Sequence, residues 1–486
     1  MLDTKSLKLN IMLNFTKTFT SILFPMITFK YASNVLSAEN LGIVSFCSSI
    51  IGYFTLLAGL GISSYATREG SGKRNDEKEI SVFSSQVFSI NLISCFVSFV
   101  ILLIAINAFE SLRPYHNILL VQSLIMIFTT LGTEWINIIY EDFLFITIRT
   151  VIMQIISLAL LFVFVKNSDD YLIYACITVL AQVGMYVLNI FHVRKIVKFK
   201  PTMHIEWRKH LKPILVIFAS TIAVTIYTTI DTTMIGLYCK KEDVAFYAAA
   251  TKIYTALKSI FATVLVVLVP RLSYLISQSE DSYNVLLDKV TRGIFILLIP
   301  CTILSNVLCK DLILLISGTE YLSAYSSLHV LSIAVVFSAF STCITNNVFL
   351  VRKKEKITLI ATIVGAIVNF IINLFLIRKI GYFGASITTL IAEIIVFGIC
   401  YLSLKKLRIN LIHSNNAVRC FVKDMIAGLL MLITSISLYN MIPQYFLRII
   451  IVCLVGGVVF GGSLVLLKHE MLYEEIRKVI SKKQED

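Results

Sequence analysis

Among the charged side chains inside stretches that are otherwise apolar over bilayer-spanning lengths are Lys17, Glu134, Arg149, Asp231, Lys252, Lys258 and Glu393. A charge near the middle of a hydrocarbon layer costs at least about 2.5–3.5 kcal/mol on insertion scales, so each should face a polar cavity, a partner or the interface. Two chemistries are open to such a set. Lysine and arginine can capture an anion, and carboxylates can exchange a proton or a cation.

The spacing sharpens these roles. Lys258 has Tyr254 at i−4 on the same helical face and no carboxylate at matching depth in the preceding helix, so it is the leading candidate to hold a phosphate. Lysine offers a mobile point charge where arginine would hold an oxyanion as a rigid fork, and a carrier must also let go. Lys17 sits roughly 12 Å inside its helix, too deep for easy escape to headgroups. Lys30, by contrast, lies at a helix end from which it can snorkel. Asp231 and Lys252 stand almost equally far from the turn at Lys241-Glu242, at similar depth on adjacent helices, where a structural ion pair competes with a gating role. Glu134 belongs to a stripe of Thr130, Glu134, Asn137 and Glu141 expected on one helical face, with Arg149 across the next turn as its partner; latch and gate are both open readings. Glu393, with Thr389 one turn before it, could carry a proton or be a neutral packing acid. Asn369 and Asn373 are spaced to bond neighbouring helices.

The elements that carry these residues follow from composition. Of 486 residues, 57% are hydrophobic and only 15% charged, against about a quarter charged in soluble domains. The expected class is an all-α integral membrane protein of about fourteen spans, near 9–31, 43–63, 80–107, 117–140, 144–165, 171–193, 213–238, 246–270, 285–308, 325–350, 357–378, 382–404, 421–442 and 446–467. The basic residues fall on alternate loops. Among others, Arg68, Lys73, Arg194, Lys198, Arg352 and Lys405 mark one side, while Arg113, Lys166, Lys240 and Arg448 are among the few on the other. The positive-inside rule then puts both termini in the cytoplasm and explains the formal charge of +14 without nucleic acid. Lys5 and Lys8 before an apolar run imitate a signal peptide, but Lys17 interrupts the run and no small-residue cleavage site follows, so the segment reads as a retained first span.

The ten cysteines and seven histidines show no metal-ligand spacing, and there is no phosphate-binding loop, so neither metal nor cofactor is expected. Glu39-Asn40-Leu41-Gly42 lines up with Glu242-Asp243-Val244-Ala245, and the same offset roughly superposes later spans. Two six-span repeats result: an N-lobe over 1–193, a linker over 194–212 and a C-lobe over 213–404, followed by two extra helices over 405–467 and a cytoplasmic tail over 468–486. An even repeat puts the pseudo-two-fold along the membrane normal, with a cavity between the halves as the natural substrate site. Pro25, Pro270 and Pro300 can bend their helices.

The segment "FPMITFKYASNVLSAENLGIVSFCSSIIGYFTLLAGLGISSYATREGSG" (Phe24 to Gly72) resembles the opening of the Wzx polysaccharide flippases, within the superfamily that includes MATE exporters and lipid II flippases. "GTEWINIIYEDFLFITIRT" (Gly132 to Thr150), "IDTTMIGLYCKKEDVAFYAAATKIY" (Ile230 to Tyr254) and "VNFIINLFLIRKIGYFGASITTLIAE" (Val368 to Glu393) extend the likeness in order. The resemblance implies a flippase, not an enzyme, that moves undecaprenyl-diphosphate-linked oligosaccharide repeat units across the bacterial plasma membrane by alternating access. Lys258, Lys17, Lys252 and Arg149 would meet the diphosphate, and Asp231, Glu134 and Glu393 would couple or gate. The implied partners are the lipid-linked oligosaccharide and membrane lipids; H+ or Na+ as coupling ion and contact with a polysaccharide polymerase are left open. A MATE-like exporter would favour acids over the intramembrane lysines seen here. A multi-span polymerase would carry a long outer loop that this chain lacks.

Overall fold

The computed structural model describes residues 7–411 and 417–471. The helices in chain order are α1 (Leu7–Val35), α2 (Ala38–Gly59), α3 (Ile62–Ser71), α4 (Glu77–Ala108), α5 (His116–Gly132), α6 (Glu134–Ile139), α7 (Phe143–Phe164), α8 (Tyr171–Ile196), α9 (Trp207–Tyr238), α10 (Lys241–Gln278), α11 (Glu280–Val307), α12 (Cys309–Ser317), α13 (Tyr325–Ile344), α14 (Glu355–Ile380), α15 (Tyr382–Lys406), α16 (Ala417–Met441) and α17 (Tyr445–Leu466). Among the described residues, 13 helical stretches are long and apolar enough to cross a bilayer. α1, 29 residues long, takes the place of the first of the fourteen expected spans. The described residues contain no strand, as a bilayer demands of a chain that must close its own backbone hydrogen bonds.

Helix starts are set by short polar side chains that satisfy otherwise orphaned amides. Asp76 accepts from the Lys78 and Glu79 N–H groups at 2.9 and 3.0 Å to open α4, and Ser37 accepts from Asn40 to open α2. Pro25, Pro270 and Pro300 are all absorbed inside helices, within α1, α10 and α11 respectively. Large apolar side chains such as Phe96, Val458 and Leu454 stay exposed, as on a lipid-facing surface. Buried serines, threonines and asparagines turn inward.

Contacts divide the chain into two compact units, residues 1–248 with 373–382 and residues 249–372 with 383–486. α9 falls in the first unit, where it packs on α2. Thr233 donates to Ser49 Oγ at 2.9 Å and reaches the Tyr53 hydroxyl at 3.2 Å. Gly42 lets the Lys241 carbonyl approach so closely that a Cβ would stand 1.8 Å from its oxygen. The Lys241 ammonium lies 3.8 Å from the centre of the Phe46 ring and 5.1 Å from that of Tyr115, a cation–π arrangement.

Candidate functional site

In the first unit a cavity of about 460 Å³ opens among α2, α4, α5, α8 and α9, where Thr55, Asn91, Thr130, Glu134, Tyr186 and Thr225 share the lining with apolar residues such as Leu56, Met126 and Trp135. Glu134 reaches it because the helix breaks immediately before it. α5 ends at Gly132, Thr133 adopts a left-handed φ of 45°, and α6 starts afresh at Glu134. Such a φ is unfavourable for a β-branched residue and persists only where the surroundings hold it. Here Asn189 does so: its Nδ2 donates to the freed Gly132 carbonyl at 2.5 Å, and its Oδ1 accepts from Asn137 at 2.7 Å.

Behind the acid lies its expected partner. Arg149 Nη2 donates to Glu134 Oε2 at 2.6 Å, Nη1 donates to the Met185 carbonyl at 2.9 Å, and Phe145 flanks the guanidinium. The arginine side chain is 2% exposed and the glutamate 28%, so the acid is the member of the pair that meets the cavity. The expectation of one continuous stripe through Thr130, Glu134, Asn137 and Glu141 is corrected. The break at Thr133 and a second left-handed residue at Glu141 (φ 55°) rotate the face, and Glu141 turns to Arg74 at 2.9 Å.

Asp231, buried in α9, accepts from the Tyr247 hydroxyl and from Asn373 Nδ2, both at 2.6 Å. These two neutral donors, which the sequence did not point to, come from the start of α10 and from α14. Lys252 lies half-buried further along α10. Asn369 donates to Thr388 Oγ1 at 3.4 Å, so both asparagines bond across to another helix, as their spacing suggested.

In the second unit, Lys258 on α10 meets a carboxylate after all. Its Nζ lies 2.7 Å from Glu393 Oε1, and the Tyr254 hydroxyl donates to the same oxygen at 2.8 Å. The acid comes from α15, far along the chain, which a comparison of sequential neighbours could not reach. Glu393 is 4% exposed and Lys258 32%. The lysine side chain is therefore part-exposed, while the carboxylate is enclosed and accepts from two donors. The side chain of Lys17 lies outside the described residues. Among the described residues no cluster of three or more His, Cys, Asp or Glu has a metal-binding arrangement.

The chain is thus a many-span helical protein whose intramembrane acids are bonded to lysine, arginine, tyrosine and asparagine. Residues 7–276 match the family described as polysaccharide biosynthesis protein, and the chain belongs to it. A Shigella dysenteriae relative named "Putative O-antigen transporter" is 24% identical over 400 residues, covering 80% of this chain and 98% of that one. Among solved structures, the lipid II flippase MurJ in an inward closed conformation superposes with a TM-score of 0.77 at 18% identity, over 94% of this chain and 99% of that one. An inward-facing MATE-family multidrug transporter of the MOP superfamily follows at 0.63 and 15% identity, over 82% and 99%. The fold is that of these transporters.

Proposed function

We propose that this protein flips undecaprenyl-diphosphate-linked oligosaccharide repeat units, of O-antigen, capsule or another exopolysaccharide, across the bacterial plasma membrane by alternating access. Both termini lie in the cytoplasm in this reading, and the lobes 1–193 and 213–404 are the moving parts. The observation that carries it is the match to a relative named for O-antigen transport along 98% of that relative's length.

The Lys258–Glu393 pair supplies a mechanism for capture and release. An arriving diphosphate competes with Glu393 for the ammonium of the part-exposed lysine, and Tyr254 keeps the displaced carboxylate bonded. Exchange of one anion for another costs less than burying a new charge, so the site can also release. Lys252 is the next cation for the diphosphate in this reading, and Lys17 is kept as a candidate from the sequence alone. Arg149, enclosed behind Glu134, acts by holding that acid at the hydroxyl-bearing cavity, where glycan hydroxyls can replace water. Asp231, Glu134 and Glu393 are the groups through which H+ or Na+ would couple, and the delivered units would pass to a polysaccharide polymerase.

The test is deletion of the gene followed by leaflet-resolved extraction of diphosphate-linked oligosaccharide. Accumulation in the cytoplasmic leaflet, reversed by the wild-type chain, supports the reading. An unchanged leaflet distribution removes it.

A further inference from the structure

The first unit holds a second recess, of about 740 Å³, on the face that carries the basic loops. Its construction can be read from two repeat lengths. Ser81, Ser85 and Ser89 lie one turn apart along a stripe of α4 that climbs about 6 Å per step. The chain after α8 is non-helical and, as an extended strand would, gains about 6.6 Å for every two residues. The two repeats match, and the serines fasten alternate residues of the segment. Ser81 Oγ donates to the Lys198 carbonyl. Ser85 Oγ accepts from the Lys200 N–H at 3.3 Å, and Ser89 Oγ from the Thr202 N–H at 2.8 Å.

Alternation then sorts the side chains. Val197 and Phe199 pack on the core, Phe199 edge-on to Phe88 at 5.2 Å. Lys198 and Lys200 are left exposed beside Arg194 from the end of α8. Phe88, Leu131 and Ile190 give the recess an apolar wall. Three cations over an apolar wall suit neither a free anion nor a neutral lipid.

We propose that this recess binds an anionic phospholipid of the leaflet on the basic side. Its phosphate is held by Arg194, Lys198 and Lys200, with its chains against the apolar wall of Phe88, Leu131 and Ile190. Basic pockets between spanning helices recognise anionic headgroups in this way. The site is separate from the Glu134 cavity and from Lys258, and it stands whether or not the transport reading holds.

The test is lipid retention by the full-length protein in detergent, read by native mass spectrometry with phosphatidylglycerol, phosphatidylcholine and undecaprenyl phosphate as probes. Wild type should retain phosphatidylglycerol at least tenfold over phosphatidylcholine. Each charge near a membrane surface is worth about fivefold, so Arg194→Gln/Lys198→Gln/Lys200→Gln should lower that retention about a hundredfold. Removing the same number of charges elsewhere, as Lys405→Gln/Lys406→Gln/Arg408→Gln, should leave it within twofold. Equal retention of the two phospholipids, an unaffected first triple variant, or an equal loss in the second would overturn the proposal. Displacement of phosphatidylglycerol by equimolar undecaprenyl phosphate would also overturn it, because the recess would then belong to the carrier lipid.

Discussion

Arg149 and Glu134 form an ion pair with unequal burial, and the inequality fixes which partner can be removed more cheaply. Glu134→Gln leaves the guanidinium 2% exposed and without its counter-charge. Removing one member of a buried pair costs about 3–5 kcal/mol. Arg149→Met keeps most of the side-chain volume and leaves a carboxylate that is already 28% exposed at a cavity bearing several hydroxyls. Its cost is then mainly the lost bonds to Glu134 and to the Met185 carbonyl, about 1–3 kcal/mol. The double variant removes both charges and should recover about 1–2 kcal/mol relative to Glu134→Gln, since a neutral pair is cheaper to bury than a lone cation. Midpoints of thermal unfolding, followed by fluorescence size-exclusion in one detergent, give the ordering directly. Equal or reversed costs for the two single variants, or a double variant no better than Glu134→Gln, would refute the argument from unequal burial.

Three further outcomes follow from the geometry. Lys258→Met should lose at least tenfold in flipping while still inserting and eluting as wild type, and Glu393→Gln should keep binding but slow release; leaflet assays beside a gel-filtration profile check both. Gly42→Ala forces a Cβ against the Lys241 carbonyl and should cost about 1–3 kcal/mol in thermal stability, whereas Gly398→Ala, with nothing within 4 Å of the new atom, should be neutral or mildly stabilising. The Asp170 carboxyl is held below its ordinary range by the backbone N–H groups of Lys166 and Asn167. A depressed folded pKa contributes order above the unfolded value, near 4, and loses it as pH falls through the folded one. Hydrogen-exchange protection factors of those two amides should therefore hold from neutral pH to about 4 and decline below it, and Asp170→Asn should flatten that decline.

Architecture was legible in the sequence because bilayer-length apolar runs leave helices as the only solution. The Arg149–Glu134 contact was legible for a local reason, since the two residues flank one short turn. What escaped were pairings between helices distant in the chain. Glu393 reaches Lys258 from α15 and Asn373 reaches Asp231 from α14, and helical periodicity fixes a residue's face and depth but not which helix stands opposite. The break at Thr133 escaped for a different reason. A threonine in the left-handed region carries no local preference for it, and the support comes from Asn189, more than 50 positions on. The Gly132-Thr133 pair was the one local hint. The stapled segment after α8 read as a charged linker because the matching serine stripe lies on another helix.

The central claim is that an ammonium set against an enclosed carboxylate carries a lipid-linked diphosphate from one leaflet to the other. Its most direct test uses purified protein in liposomes loaded with undecaprenyl-diphosphate-linked oligosaccharide on the inner leaflet, and follows the arrival of the glycan at an added, membrane-impermeant glycosidase. The account predicts exposure of the inner pool with wild type, and protein-free background with Lys258→Met reconstituted to equal density. Background exposure with wild type, or full activity in Lys258→Met, would contradict it.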